Sequence, residues 1–226
     1  MTRYLSGLDL GQSNDFTALV VVEQTPRRNE RGGFEVHHAV RHIERFKLGT
    51  SYPDIVAAVR DLFARSPLAQ SLLVIDRTGV GRPVHDLFKA SGIRASVTGW
   101  TITAGQNVGD GTVPKKDLVG AIQATLGARR LQIAPGLPLA DTLAKELEMF
   151  RVKVTADRNE TFSAGRERDH DDLVLGLALA VWTGERLGVP GLNSVPQVLG
   201  NISYGTAQPV DARETNRVFS AWVGTR

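Results

Sequence analysis

Apolar positions along this chain predict strands first and helices later. Tyr4 to Leu10 is an apolar run that ends in a turn over Gly11, Gln12, Ser13, Asn14 and Asp15, and Phe16 to Glu23 is a second run rich in Val and Leu. The charged, Gly-containing stretch Pro26 to Gly33 suits a hairpin loop. Phe34 to Phe46 then alternates as a half-exposed antiparallel strand does. The chain is therefore expected to open with a three-stranded meander. At Tyr52 the period changes. Ile55, Val56, Val59, Leu62 and Phe63 fall at helical spacing up to Arg65, with Ser51 placed to cap the helix.

The next segments alternate in type. Ser71 to Asp76 is short and wholly apolar until its last residue, as expected of a central strand covered on both faces. A helix over Arg82 to Ser91 and a strand over Arg94 to Trp100 follow, so the sheet should be mixed. Thr101 to Thr112 is Gly-rich and polar and reads as a loop or small hairpin. Pro114 is placed to start a helix reaching Leu126. Leu131 to Ile133 reads as a short strand, Leu137 to Phe150 as a helix, and Val152 to Thr155 with Thr161 to Ala164 as a strand pair. The last strong element is a helix from His170 to Leu187, apolar almost all round and so expected to be deeply packed. Beyond it Gly and Pro punctuate an aperiodic stretch. The expected division is one α/β domain over 1–187 and an irregular tail over 188–226.

Composition narrows the picture slightly. With 226 residues, 42% hydrophobic and 23% charged, the chain has room for one sizeable core. It has no cysteine, which excludes disulfides and thiolate chemistry. No apolar run approaches the roughly 20 residues of a spanning helix, and no signal peptide is expected. A net charge of +3 and a pI near 9.4 lean mildly toward a polyanionic partner.

The chemistry is in three acidic signals, each at the end or start of an apolar run: Asp9, Asp76, and the pair Asp171 and Asp172. They can converge only where two strands and a helix meet at one sheet edge. Like charges that close cannot all stay ionised without a positive partner, and hard oxygen ligands select magnesium or manganese. Each acid also has a plainer reading: Asp76 as the cap of a turn, Asp171 and Asp172 as complements to a helix dipole. Asp15 and His170 are second-rank candidates.

Four segments, LDLGQSNDFTALVVVE, VIDRTGVGRPVHDLF, VPKKDLVGAIQATL and HDDLVLGLALAVW, occur in an order that resembles the nuclease domain of the large terminase subunit of tailed bacteriophages, a ribonuclease H-like fold. The similarity covers residues 4–187. It implies a metal-dependent endonuclease that cuts double-stranded DNA during viral genome packaging, with two Mg2+ or Mn2+ ions. By that resemblance Asp9 bridges the two ions, Asp76 binds one, and Asp172, with Asp171 beside it, completes the cluster. The family often has a further acid three residues on, where this chain has Leu175; Asp15 or Asp171 would substitute. Arg77, Arg82, Lys115, Lys116, Arg166 and Arg168 are the expected contacts to the DNA backbone.

The same resemblance implies partners (a terminase ATPase domain, the small subunit and the portal) and work in the cytoplasm of an infected bacterium, with no membrane. No G-x-x-x-x-G-K-[ST] phosphate loop occurs, so the packaging ATPase is expected elsewhere. The rival readings are a Holliday-junction resolvase or transposase-like nuclease, which would share these acids, and an actin- or hexokinase-like ATPase, whose first phosphate loop also follows an Asp and Gly after strand one.

Overall fold

Strand β1 (Arg3–Asp9) is the axis of the structure, with its five middle residues buried. The computed structural model describes residues 1–11, 15–105, 107–156 and 171–191. β1 pairs antiparallel with β2 (Ala18–Arg28), which pairs antiparallel with β3 (Phe34–Arg45). On its other side β1 runs parallel to β4 (Leu72–Asp76), and β4 runs parallel to β5 (Ser96–Thr103). Short strands β6 (Thr112–Pro114) and β7 (Leu131–Ile133) close the two edges, giving a seven-stranded mixed sheet in the order β6-β5-β4-β1-β2-β3-β7. A meander continued by parallel strands is the expected α/β architecture.

Helices cover both faces. α1 (Tyr52–Phe63) and α2 (Gly81–Ala90) pack on one side, where Leu8, Leu19, Val21, Phe63, Ile75 and Phe88 form a buried cluster. α3 (Lys115–Gly127), α4 (Ala140–Ala156) and α5 (Asp172–Leu187) lie on the other side over Leu5, Val20, Val22, Val40 and Val74. α5 is buried along nearly its whole length. A helix that is apolar all round has no solvent face to offer, so it becomes the centre of its layer. Ser51 caps α1 as expected, its hydroxyl accepting from the Asp54 N–H at 3.3 Å.

The departures from expectation are local. β2 runs on to Arg28, so Pro26 and Arg27 pair with Val36 and Glu35 and the turn shrinks. The Asn29 side chain then supplies the turn, accepting from the N–H groups of Arg31 and Gly33. β5 continues past Trp100 to Thr103 and gains β6 as a neighbour, which narrows the predicted loop. Pro114 occupies the N-cap position of α3 in an extended conformation, and the helix begins at Lys115. Val152 to Thr155 is no strand but the last turns of α4, where helix continuation overrides a local β preference. Its expected partner, 161–164, lies outside the described residues, as do 192–226 of the predicted tail.

Candidate metal centre

Asp9 and Asp76 end neighbouring parallel strands, so both carboxylates emerge at the same edge of the sheet. This is the edge at which open α/β sheets place their ligands. α5 delivers its first residues to the same place because it lies directly on β1. A β-carbon at Gly7 would sit 1.8 Å from the Gly176 carbonyl oxygen, so only glycine lets the helix come this close. The turn after β4 is equally tight: a β-carbon at Gly81 would sit 1.9 Å from the carbonyl oxygen of Asp76. The result is one cleft of about 440 Å³ lined by Asp9, Asp15, Asp76, Asp171 and Asp172, with Phe16 on its wall.

These acids are not equivalent. Burial pushes the Asp9 carboxyl well above the usual carboxylate range, and the charges of Asp76, Asp172 and Asp171 add to the shift against the opposing effect of Lys115. Asp76 accepts a hydrogen bond from the Thr78 N–H at 2.8 Å, so it caps the turn with one oxygen while lining the cleft. The Thr78 hydroxyl in turn accepts from the Ile102 N–H at 2.9 Å, tying that turn to β5. Asp171 occupies the N-cap position of α5 without making a side-chain capping bond. It receives Lys115 Nζ at 3.2 Å.

Asp172 is buried and accepts two hydrogen bonds from Arg45, Nε at 2.8 Å and Nη2 at 3.0 Å. Arg45 reaches it along the sheet: Asp9 is registered with Ala18, and Ala18 with Arg45, so the three form one row. The guanidinium lies 5.0 Å over the Phe16 ring and also donates to Glu146 of α4. Glu146 spends its other oxygen on the Leu173 N–H at 3.2 Å. A residue from α4 thus satisfies one N–H in the first turn of α5, where the Asp171 side chain makes no capping bond. Burial pushes the Glu146 carboxyl up to about 7, with Asp172 adding and Arg45 opposing.

The sequence reading did not find Arg45 or Glu146. Glu146 looks like one more charge in AKELEMF, yet it falls three residues after the buried Leu143 and one before Leu147, on the packed stripe of α4. That position was its signal. Among the predicted backbone contacts, Arg82, Lys115 and Lys116 are exposed. Arg77 is not extended into solvent. Its aliphatic stem packs over Gly99 and its guanidinium beside Gly111, where added β-carbons would lie 2.5 and 2.9 Å from it. His170, Arg166 and Arg168 lie outside the described residues.

The donor set suits a hard divalent cation: carboxylate oxygens, no sulfur, and one carboxyl whose proton affinity is raised by burial and by the acids around it. Among the described residues no three acidic or imidazole groups form a ready-made cage. Two of the acids instead each hold a cation of the chain itself, Lys115 or Arg45.

No family model and no curated protein matches the chain. Among solved structures, the large terminase nuclease from thermophilic phage G20c with bound magnesium matches at 21% identity and a TM-score of 0.50, covering 80% of this chain and 81% of that one. The manganese-soaked terminase nuclease domain of human cytomegalovirus matches at 13% identity and TM-score 0.44, over 79% and 81%. RuvC of Thermus thermophilus matches at 13% and 0.36, over 79% and 91%. The G20c likeness is one of fold, and with the strand order above it gives the chain a ribonuclease H-like fold similar to that of terminase nuclease domains.

Proposed function

We propose that this chain is a metal-dependent endonuclease for double-stranded DNA, the cutting domain of a viral genome-packaging terminase. The observation that carries the reading is the meeting of Asp9, Asp76, Asp171 and Asp172 in one cleft, with the Asp9 carboxyl pushed well up by burial and then by its acidic neighbours. A group in that condition calls for positive charge, and two divalent cations would supply water activation and stabilisation of the leaving oxygen. Asp9 and Asp76 are the proposed principal ligands, Asp172 and Asp171 complete the cluster, and Asp15 reaches in from the turn.

The remaining work falls to this chain's own side chains. Exposed Arg82, Lys115 and Lys116 hold the phosphate backbone by charge and carry no base information. Lys115 also sits against Asp171, so it bridges the duplex-holding surface and the acidic cleft. Arg77 braces the β5–β6 edge over which the strand would pass. In this reading residues 1–187 act as the nuclease unit in the cytoplasm of an infected bacterium, beside the terminase ATPase, the small subunit and the portal. Actin-like nucleotide sites lie between two lobes, whereas the described residues form one sheet with its helices.

Plasmid digestion in Mg2+, Mn2+, Ca2+ or EDTA tests the proposal. Parent protein is expected to cut in Mg2+ or Mn2+ and to stop in EDTA, and Asp76→Ala is expected to be inactive while folded. Cutting at the parental rate by Asp76→Ala would sink it. Comparing linear, supercoiled and four-way-junction DNA in the same assay separates a packaging nuclease from a junction resolvase.

A further inference from the structure

We propose that Arg45 and Glu146 are a positioning pair that holds and orients Asp172 in the acidic cleft for a divalent cation. The inference rests on the metal reading above and goes beyond it by assigning two residues from β3 and α4.

The geometry has two parts. Arg45 donates to both carboxylate oxygens of Asp172, at 2.8 and 3.0 Å, which fixes the plane of the carboxylate. Both oxygens are thereby held in a fixed direction relative to the cleft that Asp172 lines. A ligating carboxylate is commonly held by hydrogen bonds in this manner. Arg45 alone, however, would cancel the negative charge that a cation needs. Glu146 accepts from the same Nη2 that serves Asp172, so the guanidinium is shared between two carboxyl groups. Shared in this way, the guanidinium is not spent wholly on Asp172.

Burial makes the arrangement rigid. The side chains are 15% exposed for Arg45, 4% for Glu146 and 7% for Asp172. Glu146 is also tied to the Leu173 N–H, and the Arg45 guanidinium is stacked on Phe16. α4, β3 and α5 are thereby locked together behind the cleft, and no member of the pair lines the cleft itself.

Calorimetric titration of Mn2+ into folded protein tests the pair, with circular dichroism and melting in EDTA as the check on folding. Glu146→Gln keeps the shape and removes the charge. Arg45→Lys keeps the charge and removes the two-pronged grip. Both are expected to bind Mn2+ about 10- to 100-fold more weakly than the parent. Parental affinity in either folded variant overturns the pair, and an unchanged Arg45→Lys in particular would reduce Glu146 to a distant charge. Should Glu146→Gln fail to fold, Arg45→Lys decides on the same criterion. Asp76→Ala is the control: if it binds Mn2+ as the parent does, the metal reading fails, and the role of the pair fails with it.

Discussion

Gly7 and Gly176 stack backbone against backbone, so that a β-carbon on Gly7 would fall 1.8 Å from the Gly176 carbonyl oxygen and 3.2 Å from the Ala180 nitrogen. The contact sets the distance between the central strand and the last helix, and through it the distance from Asp9 to Asp171 and Asp172. The two glycines are not symmetric, because a β-carbon on Gly176 would come no nearer than 3.2 Å to the Gly7 carbonyl oxygen.

Gly7→Ala is therefore expected to destabilise strongly. The methyl meets backbone that cannot rotate away, and overpacking of this kind costs about 3 kcal/mol or more. Gly176→Ala meets a looser contact and gains roughly 1 kcal/mol of helix propensity, so it should stay within about 1 kcal/mol of the parent. Urea denaturation of both variants measures the difference. Equal losses would mean that the helix does not rest on β1 as described.

Asp9→Asn should stabilise the protein when metal is withheld. A carboxyl whose folded-state pKa is raised favours folding below its unfolded pKa and loses that advantage as pH rises through the folded one. At neutral pH, above the unfolded pKa, this acid is a burden on the folded state, and the isosteric amide removes it. The melting temperature in EDTA at pH 7 should rise in the variant, and the same substitution should abolish stabilisation by Mn2+. A lower melting temperature in EDTA would contradict the crowding of charge at this position.

Acid sensitivity should trace to a different carboxylate, at the far end of α5. Burial alone would raise Glu185, but hydrogen bonds from His38 and Arg130 outweigh it and bring the carboxyl down to about 2. His38 Nε2 lies 2.7 Å from Glu185 Oε1, and Arg130 donates to both oxygens at 2.8 and 2.9 Å. A depressed acid contributes stability above its unfolded pKa and loses it as pH falls through the folded one. The contribution should be full above about pH 5 and fade toward pH 2. From 4.5 to about 2, at 1.36 kcal/mol per pH unit, the ceiling is about 3 kcal/mol. With 29% of the side chain exposed, about 1–2 kcal/mol is the expected loss in Glu185→Gln at pH 7. Denaturation of parent and variant from pH 7 to pH 2.5 should show the two curves converging at the acid end.

Most of the architecture could be read from periodicity, because the meander, the apolar β4 and the all-apolar α5 each have one stable placement. Arg45 shows where that reading ends. Val36 and Val40 are both buried, and Val40 packs beneath α5, so strict alternation would turn Glu44 toward that side as well. A register shift between Val21 and Val22 passes over Arg41 and reverses the parity, which brings Ile43 and Arg45 under the helix instead. A bulge leaves no periodic trace, and without it the partner of Asp172 has the wrong identity. The sequence placed Asp9 and Asp76 at one edge from strand order alone. It could not divide Asp171 from Asp172, because that division depends on Lys115 and Arg45, which arrive from α3 and β3.

α5 has a consequence for biosynthesis. It supplies two of the acids in the cleft and fills the middle of one whole layer of the core. A nascent or truncated polypeptide ending before residue 171 has neither a closed interior on that side nor a complete set of carboxylates. Closure of that layer and assembly of the acidic cleft thus both depend on the same helix.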